Sequence, residues 1–87
     1  MGNPDFTNIE DATIELNKFK ILTQTSVVDK QTGKTIIVSN VAIHPNTWFD
    51  NGVEQLIGYD VRIHFIGAMN FVRTTEFLKE YKTTLTL

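Results

Sequence analysis

Between Gly58 and Gly67 the chain alternates without a break. Tyr59, Val61, Ile63 and Phe65 fall on one side, and Asp60, Arg62 and His64 on the other. A helix turns by about 100° per residue and would spread these apolar side chains round its circumference, whereas a strand gathers them on one face. The segment therefore reads as a strand with one buried and one solvated face, placing Val61, Ile63 and Phe65 in the core and Arg62 and His64 outside it.

Composition extends that reading to the whole chain. Thr, Val and Ile supply 28 of the 87 residues, while Ala and Leu supply 9. Branching at Cβ is restricted against a preceding helical turn but packs well on a pleated sheet. The expected class is all-β, or β with one short helix, as a small antiparallel β-barrel or a strongly bent sheet of five to six strands. A chain of 87 residues makes one thin-cored domain, here assigned to residues 9–87 behind a flexible leader at 1–8. Met1-Gly2 reads as an expression remnant. Cysteine is absent, which excludes thiolate metal sites and thiol nucleophiles. No apolar run approaches the roughly 20 residues of a membrane span, and no secretory signal is visible, so a cytoplasmic setting is expected.

Along the chain, Ile9, Ala12, Ile14 and Leu16 suggest a first strand whose apolar phase slips before Phe19 and Ile21. A β-bulge or a tight turn near Asn17-Lys18 would explain the slip, and the sequence leaves both open. Two β-branched runs then flank Asp29-Lys30-Gln31-Thr32-Gly33-Lys34, which predicts a hairpin with Gly33 at positive φ. The fifteen residues from Thr35 to Phe49 carry no formal charge. Such a run would aggregate at an exposed edge, so a central place in the sheet is expected, ending at His44-Pro45-Asn46. Asp50-Asn51-Gly52 is a turn signal. The tail predicts a strand from about Phe71, a helical turn or loop within 74–82, which also alternates tolerably as strand, and a terminal strand at Thr83–Leu87.

No motif supplies a catalytic constellation. Gly33-Lys34-Thr35 resembles the end of a phosphate loop, but Val28 stands where its first glycine is needed, and strands flank it. The two histidines, His44 and His64, lie too far apart in sequence to form a close ligand pair. Ser26 and Ser39 sit within strand patterns, and Glu76 and Glu80 would share a solvated helix face. No enzyme activity, metal or small-molecule cofactor is expected.

Binding residues are easier to nominate. Trp48 and Phe49 are adjacent between Pro45 and Asn51-Gly52, and neighbours on a strand point to opposite faces, so both cannot enter one core. Exposed aromatics of this kind are common binding anchors. Lys18 and Lys20 would share one face of the first strand. If that strand neighbours the one carrying Arg62 and His64, a basic stripe results; Arg73 and His44 complete the set.

Gln55 to Gly67 is similar to the glycine-bounded inner strand of small barrels such as OB-folds, and a long bulged first strand followed by a hairpin suits that architecture. The resemblance implies a barrel and transfers no residue roles. The leading expectation is a non-enzymatic module acting through protein–protein contacts, including contacts with its own copies. A phage or mobile-element accessory, virion or inhibitor protein would suit this size and style. The alternative is single-stranded nucleic-acid binding, with Lys18, Lys20, Arg62 and Arg73 on phosphates and Trp48, Phe71 or Tyr59 on bases. The formal charge of −2 counts against it.

Overall fold

The computed structural model describes residues 3–87; Met1 and Gly2, the first two positions of the expected leader, lie outside that range. Five antiparallel strands form one open sheet in the order β4-β3-β2-β1-β5. The strands are β1 (Ser26–Asp29), β2 (Thr35–Asp50), β3 (Val53–Phe65), β4 (Phe71–Arg73) and β5 (Tyr81–Lys82). Helix α1 (Ile9–Phe19) continues into a 3-10 turn at Lys20–Leu22, and α2 (Thr74–Glu80) connects the two edge strands β4 and β5. The β-dominated class and the short helix in the tail are both present. The sheet is not closed, so the barrel suggested by the OB-fold resemblance gives way to an open sheet.

The largest departure lies at the start. Residues 9–19 are helical, because Ala12, Leu16 and Phe19 recur at helical spacing and face the sheet. The apparent phase slip near Asn17-Lys18 is that helical period, so neither a bulge nor a tight turn occurs there. Asn8 caps the helix, its side-chain oxygen accepting from Asp11 N–H at 2.9 Å. Glu10 and Asp11 in the first turn and Lys18 in the last match the helix dipole.

The core lies between this helical layer and one face of the sheet. Val61 and Ile63 are fully buried and Phe65 nearly so, while Arg62 and His64 keep partial exposure on the other face. An aromatic chain crosses the layer: Phe19 meets Phe77 edge-on at 6.1 Å, Phe77 stacks on Tyr81 at 5.4 Å, and Tyr81 lies 5.0 Å from Phe65.

The hairpin between β1 and β2 forms as expected. Gly33 takes φ 74° and its N–H donates to Asp29 O. The Asp29 carboxylate accepts from Gln31 N–H at 2.8 Å, closing the turn locally. Strand β2 holds the middle of the sheet, but it does not stop at His44-Pro45-Asn46. Pro45 sits inside it, opposite Tyr59. The N–H and C=O of Tyr59 are turned away from β2, exchanging bonds of 2.7 and 2.9 Å with Phe6. Pro45 therefore occupies a non-bonded ladder position on the free side of β2, where its missing N–H is not needed. The terminal strand expected at Thr83–Leu87 is also not formed, since pairing ends with Tyr81–Lys82.

Candidate binding arm

Beyond Asn46 the β2–β3 pair leaves the body as a two-stranded arm. The register there is Thr47 to Leu56, Trp48 to Gln55, Phe49 to Glu54 and Asp50 to Val53. Asn51 and Gly52 close it with φ values of 51° and 78°. Positive φ at both central residues is the signature of the two-residue type I′ turn, whose twist suits a hairpin and which favours Asn-Gly. A register shift between Asn46 and Thr47 leaves Ile57 as an extra residue on β3, and a bulge at such a point re-aims the strands that follow.

Every residue from Thr47 to Leu56 is exposed. Opposed residues share a face, so Thr47, Phe49, Glu54 and Leu56 lie on one side and Trp48, Asp50, Val53 and Gln55 on the other. Each face thus presents two large apolar side chains and one carboxylate. The fractional exposures are 47% for Trp48, 66% for Phe49, 58% for Val53 and 56% for Leu56. Trp48 and Phe49 stand on strands rather than in an irregular loop, and they point to opposite faces. The sequence reading did not name Val53 or Leu56. The Asn51-Gly52 turn could have found them, because a two-residue I′ turn fixes which residues face Trp48 and Phe49.

The remaining nominated residues separate into three groups. Arg62 and His64 lie on the solvated face of β3, where the Arg62 guanidinium sits 3.9 Å from the ring centre of Phe71. His64 is 5.8 Å from the same ring, and Arg62 Nε is buried with no hydrogen-bond partner among the described residues. His44 shares that face, opposite Asp60 in register. Arg73 is engaged with Asp5 at 2.9 Å and lies 3.9 Å from Glu76. The backbone N–H of Asp5 donates to Asp60 Oδ1 at 3.0 Å. Burial, followed by repulsion from Asp60, holds the Asp5 carboxyl above its ordinary 3.8 in spite of Arg73. Lys18 and Lys20 belong to α1 and the 3-10 turn, so they sit in the helical layer and the expected basic stripe with Arg62 and His64 does not form. Among the described residues no three His, Asp or Glu side chains gather where they could hold a metal ion, and no helix is long and apolar enough to cross a membrane.

Comparison with family models, with curated proteins and with solved structures finds no match to the chain.

Proposed function

We propose that the protein is a non-enzymatic binding module that docks onto another protein through the 47–56 arm. The observation that carries this reading is the concentration of Trp48, Phe49, Val53 and Leu56, all about half exposed or more, on a ribbon whose every residue is exposed. Exposed aromatics held on a hydrogen-bonded two-stranded frame offer large contact area. Apolar groups on both faces suit insertion of the arm into a slot better than adhesion to a flat surface.

One observation favours nucleic acid instead: Arg62 stacked on Phe71 on a solvated sheet face is a surface on which a base could lie. Of the four basic residues assigned to phosphates, however, Lys18 and Lys20 lie in the other layer and Arg73 is paired with Asp5.

The experiment compares proteins retained from a cell lysate by the immobilised chain and by its Trp48→Ala/Phe49→Ala variant. The variant should keep its melting temperature and lose about 2 kcal/mol or more of affinity. Retention should persist at raised salt, whereas nucleic-acid binding would fall steeply. Equal retention by both forms, together with no arm-dependent association of the chain with its own copies, overturns the reading.

A further inference from the structure

Two surfaces at opposite ends of the molecule match one another. The sixteen residues of β2 run from Thr35 to Asp50, and the molecule is 45 Å long against 24 and 19 Å across. The arm and the Thr35 end therefore cannot meet within one chain. At the Thr35 end two depressions adjoin, sharing Glu80 and Tyr81. One, of about 320 Å³, lies between the β1–β2 turn and the end of α2, with Lys30 and Lys79 on its wall. The other, of about 370 Å³, is lined by Met69, Phe71 and Val72 beside Tyr81. Phe65–Val72 carries no charged residue, and Met69 projects fully into solvent, a flexible side chain suited to adapting to an incoming apolar group.

Charge follows the same division. Lys30, Lys34, Lys79 and Lys82 lie at this end with Asp29, Glu76 and Glu80. Lys79 is engaged by Glu76 at 3.2 Å and Lys30 by the Leu78 carbonyl, whereas among the described residues neither Lys34 nor Lys82 has a carboxylate within ion-pair distance. The arm has the converse pattern, with Asp50 and Glu54 and no base. The walls of both depressions are mostly polar, so Met69, Phe71 and Tyr81 supply the apolar contact there, while Lys34 and Lys82 oppose the two carboxylates of the arm.

We propose that the arm of one copy docks into the Tyr81 depressions of the next, so that the chain assembles head to tail. This rests on the arm being a protein-docking element and names its partner as a second copy. Donor and acceptor are different patches, so the contact is heterologous: each added copy retains a free arm or a free acceptor, and growth ends only if a ring closes. The aromatic anchors supply most of the affinity and the charged contacts are few, so salt weakens association only modestly and does not abolish it.

The test is sedimentation of the full chain over a concentration series, at low and high salt. The arm variant Trp48→Ala/Phe49→Ala should weaken association by about 30-fold, the ratio carried by one strong anchor. The charge variant Lys34→Glu/Lys82→Glu, altered at exposed sites on the acceptor end, should weaken it as well. Mixing the two variants is decisive. One retains an intact acceptor and the other an intact arm, so the mixture should form a one-to-one dimer and nothing larger. A wild-type chain that stays monomeric up to about a millimolar, the weak limit of specific association, overturns the proposal. So does a wild-type dimer that grows no further and is not restored by mixing, since that contact would be symmetric. If self-association fails while the arm variant still loses retained proteins from a lysate, the arm docks a different partner. If both fail, the arm reading fails too.

Discussion

Two residues near the N-terminal segment show opposite costs of close approach. Gly58 passes directly beneath that segment: a Cβ built on it would lie 2.5 Å from Phe6 O and from the Pro4 ring. Gly58→Ala should therefore push the segment off β3 and disrupt the paired Phe6–Tyr59 bonds, costing about 1–3 kcal/mol as overpacking does. A shifted urea midpoint would record this, and an unchanged one would show that the segment contributes nothing. Asp5, in the same segment, has a folded-state pKa raised above its ordinary 3.8 by burial and by Asp60. The native state then binds this proton more tightly than the unfolded chain. The resulting stabilisation is complete below pH 3.8 and is lost as pH rises through the elevated value. Asp5→Asn should remove that dependence, so the variant's melting temperature should gain on the wild type as pH climbs through this window. Parallel curves would mean that the Asp5 carboxyl does not titrate differently in the native state.

At the scale of elements, α1 can be tested through its cap. Asn8→Ala removes the acceptor for Asp11 N–H and should cost about 1 kcal/mol, with helical circular dichroism lost before the sheet signal. A first strand at 9–21 would instead be indifferent to that change. The alternation in β3, the turn around Gly33 and the Asn51-Gly52 turn were legible because each is a local rule: one-sided burial, positive φ, or a fixed turn type. Helix α1 was masked by its β-branched residues, Ile9, Thr13 and Ile14, which weigh toward strand when counted singly. Its spacing of Ala12, Leu16 and Phe19, with Asn8 before and Lys18 at the end, is the stronger signal. The basic stripe failed with it, because Lys18 and Lys20 moved to the other layer. The continuation of β2 through Pro45 was illegible for a different reason. Whether a proline fits a strand depends on which ladder position it takes, and that is set by the β2–β3 register with its shift between Asn46 and Thr47, which leaves the N–H and C=O of Tyr59 facing Phe6 and not Pro45.

For the molecule as a whole, stability and binding occupy different regions. The aromatic chain from Phe19 through Phe77 and Tyr81 to Phe65 ties α1, α2, β5 and β3 together, and residues 47–56 take no part in it. Two strands of a pair extending past their sheet bury little and draw their order from the body they leave. Removing 47–50 and 53–56 while keeping the Asn51-Gly52 turn should therefore shift the melting temperature by less than about 4 °C, the equivalent of less than 1 kcal/mol in a domain of this size. The shortened chain should keep its circular dichroism in the aromatic region apart from the contributions of Trp48 and Phe49, and should lose docking through the arm altogether. A large fall in melting temperature would mean that Trp48 or Leu56 packs against the body in solution. Tryptophan fluorescence of the intact chain distinguishes the cases directly: an exposed Trp48 emits to the red and is quenched freely by iodide or acrylamide, whereas a Trp48 folded onto the body is shifted to the blue and protected.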